Sequence, residues 1–369
     1  MNKRLPLSHN EAVKEVYRLV PQLKEYDEFM YLGVRWVPYT MFSHWKNYSS
    51  DVINTDEFGF RYGLDEFKRR VSVADFDNNK PVNLLIGGST SLGTGTTNDN
   101  FTISSNLSEY TGETWLNLGI RGFNATQELI QFMMHQHRFN KINNIVILSG
   151  INTLTLEGLP DEYASEHGRY YYSYEFMHYM DKYNHDISRR QNSYASGING
   201  KKTIIERFRY FLESLSSPNP AEKVLTDKNI DTQQRIIRAA WYTIDALRQF
   251  KALLSARGTK LTFALQPIAT WTKHELTEEE KDIFHAIDYC PNNWWRLFEK
   301  VCTSDTHKLF SFEISKECAN LEINFCDINT MLRNSDAIKD TFYVDHVHFN
   351  DKGYDEVSKL IYGVINNIN

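Results

Sequence analysis

The chain has little of several things. Four cysteines occur in 369 residues, Cys290, Cys302, Cys318 and Cys326, all in the last quarter and at irregular spacing. None forms a CxxC pair, so neither a disulfide scaffold nor a zinc ribbon is indicated, and free thiols in a reducing compartment are expected. Glycine (18) and proline (9) are too sparse for a fibrous or low-complexity protein. No apolar run approaches the ~18 residues a membrane-spanning helix needs. The opening MNKRLPLSHNEAVKEVYRLVPQ carries no apolar block of the kind a secretory leader has, so a cytoplasmic location is expected. A basic excess is missing too. The formal charge is −6, which argues against a nucleic-acid or anionic-membrane surface.

What is present is core-forming material. Hydrophobic residues make up 41% of the chain and aromatics 14%, more than a disordered chain carries. No internal repeat is visible. Residues 1–80 read as an N-terminal extension, with an amphipathic helix from Glu11 to Leu23 and then an aromatic stretch with Trp36, Trp45 and the turn-rich NTDEFGFRYG. From residue 81 a rhythm of strands and helices sets in. Val82–Ile86, Thr114–Leu118 and Asn144–Leu148 are short apolar runs, the first and third stopped by glycine. Asn124 with Gln127 reads as a capping box at the start of a helix. Residues 151–228 break the rhythm. They are rich in tyrosine (Tyr163, Tyr170, Tyr171, Tyr172, Tyr174, Tyr179, Tyr183) and too long for an ordinary connection, which indicates an insertion with helix of its own. A long helix over 231–257 follows, with Ile237, Trp241, Ile244, Leu247, Lys251 and Leu254 stepping by three and four. Strands at Lys260–Leu265 and Ile323–Cys326 and a helix at 353–368 complete the pattern. Strands alternating with helices predict a three-layer α/β/α domain with a parallel sheet over 81–369, its ligand site at the carboxyl ends of the strands.

Small and polar residues gather at those ends. The first strand runs into Gly87-Gly88-Ser89-Thr90-Ser91, the second into Asn117-Leu118-Gly119-Ile120-Arg121-Gly122, and the third into Gly150-Ile151-Asn152. Asp345-His346-Val347-His348-Phe349-Asn350 stands just before the last helix. Ser89 sits on a strand-to-helix turn, where a nucleophile would be exposed. It needs a base, which His348 can supply, and Asp345 can orient that ring across a tight turn. The N–H groups of Ser89 and Gly122 and the side-chain amide of Asn152 can serve as donors to a developing oxyanion.

These blocks resemble the SGNH (or GDSL) hydrolases, a superfamily of serine esterases, lipases and acyl-modifying enzymes. IGGSTS resembles the nucleophile block, NLGIRG the oxyanion-glycine block, GINT the GxND block and DHVHFN the DxxH block, in the family's order. The resemblance covers roughly residues 82–152 and 260–369. It implies a flavodoxin-like fold with Ser89, Asp345 and His348 as the catalytic set. It also implies an oxyanion hole of Ser89, Gly122 and Asn152, and chemistry without a metal or organic cofactor. The substrate it implies is a small-molecule or glycan O-acyl ester, hydrolysed or passed to another hydroxyl. Two positions depart from the family: Gly88 replaces the Asp before the nucleophile, and Thr153 replaces the Asp of GxND. EFGFRYG also resembles a stretch often found upstream of such domains, with no mechanism evident from the sequence.

Other readings exist for the same residues. Asp345, His346 and His348 carry metal-ligand chemistry, but no further cluster completes a set. Gly87–Gly95 lacks the Gly-Lys-Ser/Thr end of a phosphate loop. Arg121 and His346 could touch substrate, or be a surface arginine and a loop histidine. The tyrosines of 163–183 could stack on a sugar or acyl group, or pack the insertion down. Trp294-Trp295 reads as packing and Arg189-Arg190 as solvated surface. The alternative to an enzyme is a catalytically silent binding or regulatory module built on the same fold.

Overall fold

The computed structural model describes residues 4–159, 164, 168–196, 232–291, 293 and 295–366. The chain divides into two compact units, residues 1–158 with 232–369, and residues 159–231.

Nine strands are present among the described residues: β1 (Arg35–Val37), β2 (Met41–Ser43), β3 (Gly63–Leu64), β4 (Arg70–Val71), β5 (Val82–Gly87), β6 (Trp115–Gly119), β7 (Ile142–Ser149), β8 (Lys260–Leu265) and β9 (Asn324–Asp327). The last five form one parallel sheet in the order β6-β5-β7-β8-β9, the doubly wound arrangement with its switch point between β5 and β7. Their interiors are near-continuous apolar runs because both faces are covered. On one face Leu85, Val146, Leu148, Ala264 and Cys326 share a core with Ile103 and Leu107 of the helix Ile103–Thr111 and Val357 and Ile361 of the helix Asp351–Asn366. On the other lie the helices Ala125–His135 and Thr232–Leu254, joined by Phe132 against Phe250 at 5.3 Å. The register aligns Gly87 with Gly119 and Leu148, and Leu265 with Ser149 and Asp327. The carboxyl ends of all five strands therefore share one edge.

The Asn124–Gln127 capping box forms as expected. Several elements differ from the sequence expectation. The first helix stops at Leu19, because Pro21 cannot continue it, and a second runs Leu23–Tyr31. The fifth core strand is displaced by one residue, to Asn324–Asp327. In the helix Thr232–Leu254 the expected Ile244, Leu247 and Leu254 are buried, together with Ile236, Ala240, Thr243 and Phe250, while Ile237 and Trp241 are exposed. The small residues among them let the helix approach its neighbours closely, so bulk was a poor guide to the buried face.

Residues 1–80 are built into the larger unit. Arg4 pairs with Glu278 and Asp282. Strands β1 and β2 form an antiparallel hairpin, as do β3 and β4. In the other unit the helix Ser173–Ser196 exposes Tyr179 and Tyr183. Tyr163, residues 197–231 and Trp294 lie outside the described residues, and so does the side chain of Tyr174. All four cysteines are free thiols. No described helix is long and apolar enough to cross a membrane.

Candidate active site

Ser89 is the first residue of a short helix, Ser89–Leu92, that starts where β5 ends. Across the site, residues 342–350 fold into a tight loop closed by Val344 N–H on His348 O (3.0 Å) and Asn350 N–H on Phe342 O (2.7 Å). Its entry is pinned by Glu280, which accepts from the N–H groups of Phe342 and Tyr343 and pairs with the buried Lys273. The loop brings Asp345 and His348 face to face. Asp345 Oδ2 lies 2.6 Å from His348 Nδ1, and its Oδ1 accepts from the backbone N–H groups of Val347 (2.8 Å) and His348 (2.7 Å). Nδ1 must then carry the proton, which leaves Nε2 an acceptor. The Ser89 hydroxyl donates to it at 2.7 Å.

Burial alone would raise the Asp345 carboxyl. The opposing charge and hydrogen bond of His348, with the two backbone N–H groups, outweigh burial and hold it at about 2. The carboxylate is thus ionised throughout the ordinary pH range.

Three groups are the candidate oxyanion donors. Ser89 N–H is at a helix N-terminus and Gly122 N–H is in a turn. Among the described residues neither meets a backbone acceptor. Asn152 directs one hydrogen of its Nδ2 to Phe123 O at 2.8 Å, which leaves the other free. A Cβ built on Gly88 would stand 2.5 Å from Asn152 Nδ2. A side chain at position 88 therefore pushes the Asn152 amide aside. Gly88→Ala should lower kcat/KM about 10- to 100-fold with little change in melting temperature, as loss or misplacement of one oxyanion donor does. Steady-state kinetics beside a thermal melt would check this. Thr153, the other departure, accepts from Ala125 N–H at 3.0 Å and so ties the residue after Asn152 to the start of the helix Ala125–His135.

His346 does not converge with His348. Its ring stacks on Trp295 (4.7 Å, 5°), packs against Phe284 (4.3 Å) and faces Asp288 Oδ1 at 3.3 Å. Among the described residues no group of three or more His, Cys, Asp or Glu could hold a metal ion. Arg121 lies in the same turn as Gly122, and its N–H donates to His44 Nε2.

Several residues that support the site were not visible in the sequence. Gln266, at the end of β8, donates to Thr90 Oγ1 at 2.8 Å, and Ala269 N–H donates to His346 O. Asp27, whose carboxyl burial pushes up, accepts from Tyr17 Oη and lies close enough to feel the charges of Arg121 and Asp345. The EFGFRYG stretch also gains a physical account. Asp56 Oδ1 accepts from the N–H groups of Phe58, Gly59 and Phe60, which turns the chain so that Arg61 points inward. The fully buried Arg61 pairs with Asp99 at 2.7 Å and donates to Leu92 O and Gly93 O, the carbonyls that end the Ser89 helix. It also reaches Val52 O, Thr96 Oγ1 and Tyr26 Oη. A cation therefore fixes the far end of the helix whose first residue is Ser89.

Glu128 lies behind the Gly150–Asn152 turn. Its Oε1 accepts from Ser149 Oγ at 2.6 Å, and burial pushes its carboxyl up to about 8 although that bond opposes the shift. The folded state keeps this proton up to about pH 8, whereas the unfolded chain releases it near the ordinary value of 4.5. Stability is therefore lost as pH rises through that window. Glu128→Gln keeps an acceptor for Ser149 and should raise stability at pH 8 by a few kcal/mol, about 1.4 kcal/mol per unit of displacement. The advantage should shrink toward pH 4.5. Denaturant unfolding of both proteins across that range measures it.

No protein-family model matches the chain, and no curated protein is significantly similar to it. Solved structures do resemble it. A GDSL-like lipase from Bacteroides thetaiotaomicron aligns over 80% of this chain and 95% of its own, with 12% identity and a TM-score of 0.40. A carbohydrate acetylesterase from Sinorhizobium meliloti aligns over 79% of this chain and 100% of its own, with 8% identity and a TM-score of 0.40. An acetyl xylan esterase aligns over 77% and 99%, with 9% identity and a TM-score of 0.38. At these values the likeness carries no argument, and the chemistry has to be argued from the residues themselves.

Proposed function

We propose that the chain is a serine-dependent ester hydrolase or acyltransferase of the SGNH type, acting on an O-acyl group. The observation that carries this reading is the unbroken line from Asp345 to His348 to Ser89, with hydrogen bonds of 2.6 and 2.7 Å. Ser89 Oγ attacks the acyl carbon and its proton passes to His348 Nε2. The carbonyl oxygen becomes an oxyanion held by the Ser89 and Gly122 N–H groups and Asn152 Nδ2. The tetrahedral intermediate then breaks its bond to the alcohol oxygen, which takes the proton from Nε2 and leaves. Water, or a second alcohol, repeats the sequence in reverse on the acyl-enzyme, with His348 removing its proton and returning it to Ser89. Asp345 keeps Nδ1 protonated and stabilises the imidazolium formed in both halves. No step calls for a cofactor.

An acetylated glycan is the leading substrate class. The support is analogy with the family that the four sequence blocks resemble, for which a glycan O-acyl ester is an implied substrate. The short Ser89–His348 contact also favours an enzyme over a binding module, which has no need of it. The test is release of acetate from acetylated oligosaccharides and of p-nitrophenol from p-nitrophenyl acetate. Turnover lost in Ser89→Ala fits the proposal. Turnover equal in wild type and Ser89→Ala removes Ser89 as the nucleophile.

A further inference from the structure

The oxyanion turn is held from outside the α/β domain. Ile120 to Phe123 form a β-turn closed by Phe123 N–H on Ile120 O at 3.2 Å, with Gly122 at φ +78°. That places glycine at the third position of a type II turn, where positive φ is required. The central peptide of such a turn, the one carrying Gly122 N–H, is the peptide that flips between type II and type I. Its direction decides whether that N–H points at the oxyanion. Two residues of the N-terminal extension contact the turn and a third contacts the helix that follows it. His44 Nε2 accepts from Arg121 N–H at 3.1 Å, Phe42 packs edge-on against Phe123 at 5.3 Å, and Thr40 O accepts from Gln127 Nε2 at 2.8 Å.

His44 is an unusual choice for this place. It is buried, and its ring packs against Phe29 at 5.3 Å. Because Nε2 accepts, the proton sits on Nδ1. Among the described residues that N–H has no partner in strict hydrogen-bond geometry, although the Gly59 backbone lies near enough to act on the ring as an acceptor. Burial, and then the Arg121 charge, push the ring down to about 3, so it stays neutral at every pH of interest. A buried ring whose donor lacks a well-aligned partner is a cost to folding that an apolar side chain would avoid. What the ring supplies in return is a fixed acceptor for Arg121 N–H.

We propose that His44 is a positioning residue for the oxyanion hole: it anchors the first corner of the Ile120–Phe123 turn so that Gly122 N–H is aimed at the developing oxyanion beside Ser89. The inference rests on the esterase reading above. It assigns the N-terminal extension a part in the chemistry that runs through backbone alone, without contact to substrate.

The test compares wild type with His44→Leu and His44→Gln. Leucine fills the space and removes the acceptor, while the glutamine oxygen reaches the place of Nε2. His44→Leu should lose about 10- to 100-fold in kcat with KM little changed, the cost of misplacing one preorganised donor. His44→Gln should recover to within about threefold of wild type. Affinity for an arylboronic acid, which forms a tetrahedral adduct on Ser89, should fall in step with kcat/KM in His44→Leu. A merely structural role would lower stability without splitting kcat from KM and without rescue by glutamine. If His44→Leu does not fold, His44→Asn replaces it, since its shorter amide does not reach Arg121 N–H and should lose what His44→Gln keeps. Equal activity in the Leu or Asn variant and wild type overturns the inference alone. Absence of Ser89-dependent turnover in wild type overturns the esterase reading instead.

Discussion

Asp345→Asn should lower kcat/KM by about ten-thousand-fold while the chain still folds, the size of effect seen when a triad carboxylate becomes an amide. The reason lies in the two oxygens of Asp345. Oδ1 is committed to the N–H groups of Val347 and His348. An asparagine that keeps those bonds must turn its NH2 toward His348 Nδ1. Nδ1 then has to accept, which moves the ring proton to Nε2. In that tautomer Nε2 cannot take the Ser89 proton, so the base is present but disabled. The variant also loses the stability the carboxylate provides. That stability is present above the ordinary carboxylate value of 3.8 and is lost as pH falls through about 2, so the variant's unfolding curve should be flatter over this acid range. Kinetics and acid titration of unfolding check the two halves separately. Activity within tenfold of wild type would mean that Asp345 does not set the tautomer of His348.

Ser89→Ala and His348→Ala should each cost about 10⁴-fold or more in kcat, and the double variant should cost no more than either alone. The hydroxyl and the imidazole work as one unit through a single 2.7 Å hydrogen bond, so removing either leaves the other without a task. Whatever rate remains comes from the oxyanion donors and substrate binding, which neither substitution touches. Additive losses in the double variant would show that Ser89 and His348 act in separate steps. The measurement is kcat for the four proteins on one activated ester.

Much of the fold could be read from the sequence, for local reasons. The core strands announce themselves as apolar runs, and the Asn124–Gln127 capping box is a four-residue pattern with a fixed geometry. In the helix Thr232–Leu254 the expected Ile244, Leu247 and Leu254 are buried, whereas Ile237 and Trp241 are exposed and the small Ala240 and Thr243 are buried instead. The site divides in the same manner. Ser89, Gly122, Asn152, Asp345 and His348 each belong to a short motif at the end of an element; the folded chain joins Asp345, His348 and Ser89 by hydrogen bonds and sets Asn152 against Gly88. His44, Arg61, Tyr26 and Gln266 belong to no such motif. Their partners lie far away in sequence, as in the bonds of His44 to Arg121, Arg61 to Leu92 and Gln266 to Thr90, and only the folded chain brings them together. Even so, an arginine between Phe60 and Tyr62 in a turn-rich stretch was a usable signal. A guanidinium flanked by aromatics is either solvated or buried with many acceptors, and here it is buried.

The most direct test of the central claim is the intact mass of the protein after exposure to a fluorophosphonate, for wild type, Ser89→Ala and His348→Ala. The probe needs an activated serine and an oxyanion hole, and it asks nothing about the natural substrate. One adduct on wild type, absent from both variants, is the expected result. An unmodified wild-type protein that is folded, or an adduct that survives Ser89→Ala, would contradict the assignment of Ser89 as a nucleophile activated by His348.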